Sequence, residues 1–275
     1  MNPRKEERHD DNMTTRISKA IASSSLGVSR RQAEKIVTAL RVRLNGQVVT
    51  ELGTRVSEND VLTIDHKPVQ PKRAGVPASL YIAHKLRGEL VTTDDPEGRP
   101  TMAQRLKKKL RLRPIRFVGR LDFNTEGLVL LTDDGDLARH LELPSSALER
   151  RYRVRVHGAV TDWKLAAMRR GMSLGKEKLR LKPMQVELER EAKGTNSWLT
   201  ISCTEGKNRQ IRRACSSLNL TVNRLIRTGF GPFNLKQLPQ GEFMKVSPGK
   251  LEVSRDARRG PARSSQPHHK GKTRK

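Results

Sequence analysis

"YRVRVHG", residues 152–158, places an apolar or aromatic side chain at every second position and a charged one between. Side chains of a strand point alternately to its two faces, so Tyr152, Val154 and Val156 share one face and Arg153, Arg155 and His157 the other. A strand of this kind buries one side and wets the other. The pattern recurs in "MQVELERE" (184–191) and "WLTISC" (198–203), and the helix-patterned runs "DWKLAAMRRGM" (162–172) and "KNRQIRRACSSL" (207–218) lie between such strands. Half-wetted strands interleaved with helices predict an α+β domain built on a largely antiparallel mixed sheet. A doubly wound nucleotide-binding fold is disfavoured, since no G-x-G-x-x-G or Walker-type loop is present.

Towards the N-terminus the same domain continues through "LYIAHK" (80–85), the basic helix-like "MAQRLKKKLRLR" (102–113), the short strand "IRFV" (115–118) and the buried-type strand "GLVLLT" (127–132). "DDGDLARHLE" (133–142) opens with helix-capping residues. A separate, smaller module precedes it. "RISKAIASS" (16–24) and "SRRQAEKIVTAL" (29–40) carry apolar residues at helical spacing, with Ser29 as N-cap of the second helix. "VRLNGQVV" (42–49) sets Asn45-Gly46 between two short β-rich runs, a tight-turn signal, and "VLTIDH" (61–66) reads as a further strand. "HKPVQPKRAGVPAS" (66–79), with three prolines, reads as a linker. The expected organisation is therefore a helix–helix–β module over 14–70, a main domain over 78–250 and a basic disordered tail over 251–275.

Charge narrows the partner. Lys and Arg total 56 against 29 Asp and Glu, a formal net charge of +27, and such a field attracts polyphosphate. An anionic membrane would be attracted too, but no uninterrupted apolar span of bilayer length and no lipidation signal occurs. RNA or DNA is the expected ligand. Cys203 and Cys215 fall in a strand-like and a helix-like run, which gives no disulfide framework, and no Cys/His/Asp cluster has zinc spacing. The first residues lack the apolar core of a secretory signal, whereas the acid-poor stretch from Met13 would suit an organelle transit peptide as well as a folded helix. Arg30, Arg31 and Lys35 cluster at the start of the second helix. With the free amides there they suit a phosphate backbone, or else form only a solvated basic face.

Against this cationic background, "VGRLDFNTEGLVLL" (118–131) stands out for keeping Asp122 in a glycine-bounded loop between two strands, with Leu121 placed to pin it. An aspartate in a turn commonly braces that turn. Fixed loops also mount reactive groups. Arg209, Arg212 and Arg213 flank the apolar stripe Ile211, Cys215 and Leu218. They form a phosphate-binding patch, or one of them reaches inward to hold a carboxylate ionised.

"GRLDFNTEGLVLLTDDGDLARHL" (119–141), "ERRYRVRVHG" (149–158), "EGKNRQIRRAC" (205–215) and "NRLIRTGFGPFNL" (223–235) resemble the motifs of ribosomal-RNA pseudouridine synthases of the class that carries an N-terminal S4-type RNA-binding domain, and the 14–70 module resembles that domain. The resemblance implies an isomerase that converts a specific uridine to pseudouridine without a cofactor. It implies Asp122 as the catalytic aspartate, adding to the ribose C1′ or to the uracil ring. Tyr152 is then the platform that stacks on the target uracil and helps move a proton, Arg212 the partner of the aspartate, Arg120 the residue that holds the target nucleotide out of its helix, and Leu225 the apolar packing beneath. Arg209, Ser29, Arg30, Arg31 and Lys35 are expected to contact RNA. Ribosomal RNA or a pre-ribosomal particle is the implied partner, the protein acting as a monomer in the cytoplasm, or in an organelle matrix if eukaryotic. The chain departs from the pattern at His84-Lys85-Leu86, where many members carry Asn-Lys-Pro, so a different local loop is expected after it. Two other readings fit the charge: a ribosome-assembly factor whose catalysis is dispensable, and a nonspecific nucleic-acid binder, which would not distinguish RNA from DNA at matched salt.

Overall fold

A computed structural model describes residues 14–24, 26–69, 78–107, 109–110, 115–175, 179–190, 195–249 and 251. The expected tail beyond residue 251, the N-terminal residues before 14 and most of the expected linker lie outside these residues.

The first module comprises β1 (Thr15–Arg16), α1 (Ile17–Ala22), α2 (Arg30–Thr38), β2 (Val42–Leu44), β3 (Gln47–Val48), β4 (Arg55–Val56), β5 (Leu62–Ile64) and β6 (Lys67–Pro68). Ile17, Ile21, Ala33 and Val37 fall on the inner faces of the two helices and pack on Val42, Leu62 and Ile64 of the sheet. Strand order is β3-β2-β5-β6, while β1 and β4 pair separately. The Asn45-Gly46 turn forms as expected, both residues in the left-handed region at φ 51° and 85°. The linker expectation is corrected at its start. Asp65 and His66 make a second such turn, at φ 49° and 62°, and Lys67–Pro68 return along β5 as an edge strand. Proline is tolerated there because an edge position needs no donor on its outer side.

The main domain continues with β7 (Leu80–Lys85), α3 (Met102–Lys107), β8 (Arg116–Val118), β9 (Glu126–Thr132), α4 (Gly135–Glu142), β10 (Arg150–His157), α5 (Asp162–Arg170), β11 (Met172–Leu174), β12 (Leu179–Leu181), β13 (Gln185–Arg190), β14 (Asn196–Cys203), α6 (Gln210–Ser217), β15 (Thr221–Phe230), β16 (Phe233–Asn234) and β17 (Phe243–Val246). Its sheet runs β13-β14-β10-β15-β9-β7-β17, with β16 added to β15 and β8 to β9. β15 and β9 pair parallel and the other pairs are antiparallel, the mixed α+β sheet that the alternation predicts.

The periodicities explain the layers. In β10, Val154 and Val156 are buried against α5 and α6, while Arg153, Arg155 and His157 face solvent. β9 is buried throughout, and residues 128–131 form a continuous apolar run because both faces of the strand are covered. Leu128 and Leu130 meet Leu141 of α4, and Val129 and Leu131 meet Met102 and Leu106 of α3. Asp134 caps α4, its carboxylate accepting from the amides of Asp136 and Leu137 at 2.9 and 2.8 Å. α3 is described over Met102–Lys107, and residues 108 and 111–113 of the basic run lie outside the described residues. The two modules touch where Arg116 donates to the Ala22 carbonyl at 3.1 Å and Lys19 meets Asp136 at 3.0 Å.

Candidate active site

The site lies where the parallel pair joins the two halves of the sheet. Glu126 and Gly127, at the start of β9, lie opposite Ile226 and Arg227 of β15. Gly127 is required there: at φ 109° a Cβ would sit 2.3 Å from the Arg227 carbonyl oxygen. This contact fixes the loop just before it, residues 119–125, against β15.

Five further holds fix that loop. The Gly119 amide donates to Glu142 Oε1 at 2.7 Å, from the end of α4. The Thr125 amide donates to the Asp122 carbonyl and the Gly88 amide to the Phe123 carbonyl, each at 2.9 Å. Lys85, fully buried at the end of β7, donates from Nζ to the carbonyls of Phe123 and Thr125 at 3.1 and 2.8 Å and to that of Leu86 at 2.9 Å. Arg212 of α6 donates from Nη2 to the Asn124 carbonyl at 3.0 Å and to Thr125 Oγ1 at 3.4 Å. Burial lowers the Lys85 ammonium to about 8, against the opposing pull of Glu89, Asp122 and Glu126.

Asp122 is thereby held with its side chain about one-third exposed, between two guanidinium groups: Arg209 Nη1 lies 3.6 Å and Arg212 Nε 3.9 Å from Oδ2. Neither distance is a hydrogen bond, so both carboxylate oxygens stay available to a reacting atom. Arg212 Nε is buried without a hydrogen-bond partner and points to the same place. Burial lowers the pKa of Arg212, and Asp122 opposes that shift. The pairing expected from the sequence therefore forms, but as an ion pair shared with Arg209 rather than a bidentate bond. α6 begins at Gln210, three residues into the helix-patterned run 207–218, with Arg209 left-handed at φ 50° ahead of it. Gln210 turns back to shape this entry, accepting from the Lys207 amide at 3.2 Å and donating to Glu205 at 3.0 Å.

A cavity of about 440 Å³ opens over Asp122, and Arg120, Tyr152, Arg209 and Leu225 line it too. Tyr152 is half-buried on β10, between Ile201 of β14 and Arg227 of β15. Burial pushes its phenol pKa up, against the Arg227 guanidinium. Leu225 is buried and Arg120 exposed. The four RNA-contact residues expected on α2 lie outside this cavity. Ser29 and Gln32 form a capping box, with hydrogen bonds of 3.3 and 2.8 Å, so helix-start amides expected to meet phosphate are already engaged. Arg30 turns to Ser18 and Glu34, and Arg31 and Lys35 remain exposed beside a shallow hollow.

Sequence reasoning missed four contributors. Lys85 could have been suspected as a cation ending an otherwise apolar strand. Arg227 is buried, donates from Nε to the Leu128 carbonyl at 2.7 Å and sits 5.2 Å over the Phe230 ring. Arg224 holds Glu126 through two bonds of 3.0 and 2.8 Å. Glu142 has no local signal, because its target lies in another element. After His84-Lys85-Leu86 the chain turns back through Gly88 at φ 80°, with the Leu86 amide donating to Glu89 at 3.1 Å. Among the described residues no three His, Cys, Asp or Glu side chains form a metal-binding group, and no helix is long and apolar enough to cross a membrane.

Residues 79–217 match the family model for RNA pseudouridylate synthases, and residues 15–62 that of the S4 domain. "Ribosomal large subunit pseudouridine synthase B" of Salmonella typhi and that of Escherichia coli (strain K12) are each 39% identical over 238 residues, covering 85% of this chain and 80% of the relative. A solved structure described as a pseudouridylate synthase superimposes with a TM-score of 0.59 at 27% identity, covering 87% of this chain and 99% of the other.

Proposed function

The chain belongs to the RNA pseudouridylate synthase family, and from that premise we propose that it isomerises a specific uridine of large-subunit ribosomal RNA to pseudouridine, with Asp122 as the catalytic carboxylate. The observation that carries this reading is the placement of Asp122: a carboxylate set between Arg209 and Arg212 and sharing one cavity with Tyr152 and Leu225.

The reaction breaks the bond from ribose C1′ to N1 of uracil, forms one from C1′ to C5, releases the C5 hydrogen as a proton and returns a proton to N1. A nucleophile for this must be charged and partly dry, and two guanidiniums at 3.6 and 3.9 Å supply the compensating field. Asp122 adds to C1′ or to the uracil ring, and the detached base turns before rejoining. Tyr152 offers a flat apolar face for that base with Leu225 beneath it. Arg120 is exposed and lines the cavity, which supports the role of holding the extruded nucleotide out of the RNA helix. Every group in this scheme is a side chain of the protein, and no cofactor enters it.

The S4 module and the surface field deliver the RNA, with Arg31 and Lys35 as phosphate contacts. The reading takes the chain to act as a monomer in the cytoplasm, which its likeness to bacterial relatives supports. Site-resolved pseudouridine mapping of ribosomal RNA from cells with and without this chain tests the reading. One large-subunit pseudouridine should vanish with the chain and return when it is restored, and an unchanged map would overturn the assignment.

A further inference from the structure

A second cavity, of about 500 Å³, lies on the far side of the Asp122 loop, between residues 120–123, the 206–209 turn and the segment from Leu90 to Arg99. We propose that this cavity receives a nucleotide that flanks the target uridine, with the Phe123 ring as its stacking platform. The inference rests on the function proposed above.

Phe123 is 41% exposed in a chain with only 3% aromatic residues, and it directly follows the proposed catalytic aspartate. Its exposure does not come from a loose backbone. The Phe123 carbonyl accepts from both the Gly88 amide at 2.9 Å and Lys85 Nζ at 3.1 Å, so the residue is pinned while its ring faces solvent over the Gly88 turn. The ring belongs to none of the apolar clusters of the described residues.

The cations around it are unevenly engaged. Arg99 is occupied by Asp95 at 2.8 Å and Glu97 at 3.0 Å, whereas Arg120 has no ion-pair partner among the described residues. Arg120 and Arg209 line both cavities, so a strand crossing from one to the other keeps its phosphates near cations throughout. Extruding a base leaves its neighbour unstacked on one side, which opposes the extrusion. An aromatic face fixed one residue from the nucleophile restores that stack, and it does so for any base, because every base has a π-face.

The test uses a stem-loop RNA carrying the mapped uridine, with 2-aminopurine at each flanking position in turn. Phe123→Leu and Phe123→Trp are compared with the wild-type sequence, both for turnover and, with Asp122→Asn added to stop turnover, for fluorescence in the complex. Loss of stacking should raise KM about tenfold or more in Phe123→Leu with a smaller change in kcat. It should also brighten 2-aminopurine at one flanking position, and Phe123→Trp should restore both readings. Equal KM and equal fluorescence for Phe123→Leu and wild type would overturn the subsite, as would a loss confined to kcat. Absence of pseudouridine with the wild-type protein would instead refute the function on which the subsite rests.

Discussion

Lys85 shows how a single residue ties the fold to the chemistry. Its ammonium is enclosed at the end of β7 and donates to the carbonyls of Phe123 and Thr125, in the loop carrying Asp122. Its folded-state pKa is about 8, whereas an unfolded lysine titrates near 10.4. Between these values the unfolded chain retains a proton that the native state has released, so native stability grows as pH rises through this window. Urea unfolding at pH 7.5 and 9.5 should therefore show wild type gaining about 2 kcal/mol relative to Lys85→Met, and a pH-independent difference between the two would contradict the assignment. Asp122 stood out by its glycine-bounded loop and Tyr152 lay in a run whose period marked the strand, but the site role of Tyr152 came from family resemblance. The partner of Asp122 was legible only through family resemblance: nothing local to Arg212 distinguishes it from Arg209 or Arg213, and the contact spans some ninety positions of chain. Arg209 in fact shares the pairing, through a left-handed backbone at φ 50° that no propensity would assign to arginine.

Elements that obey a simple period were read correctly, including the alternating β10, β13 and β14, the doubly covered β9 and the capped helices α2 and α4. Those held mainly by pairing were not. β6 was absorbed into the linker because Asp65-His66 lacks the glycine that usually announces a hairpin, and β17, paired along β7, has no alternation strong enough to declare it. The crossing of β9 with β15 is the contact on which the site depends, and it separates space from backbone strain. Gly127→Ala meets both a φ of 109° and a carbonyl oxygen 2.3 Å away, whereas Gly119→Ala meets only a φ of 68° with nothing within 4 Å. Thermal unfolding should show a cost of about 1–2 kcal/mol for Gly119→Ala and at least about 3 kcal/mol for Gly127→Ala. Similar costs at the two positions would mean that β9 and β15 do not approach this closely.

The molecule as a whole joins a small basic module to a larger sheet domain under one positive field of +27. Such a field supplies affinity and little sequence preference. Replacing Arg31 and Lys35 together by Gln should weaken RNA binding at all sequences and reduce the slope of log K against log salt by about two, one for each lost phosphate contact. An unchanged slope would show that this face of the S4 module does not meet the backbone. Specificity and chemistry then rest with the cavity, where Asp122, Arg209 and Tyr152 meet from three separate segments, with Arg212 of α6 beside Asp122. Because bond formation at C5 expels the hydrogen there, tritium release from RNA labelled at uracil C5 reports turnover directly. With wild type and Asp122→Asn compared at equal RNA binding, release should fall about 10³-fold or more in the variant. Release from Asp122→Asn at the wild-type rate would contradict the claim that this carboxylate performs the reaction.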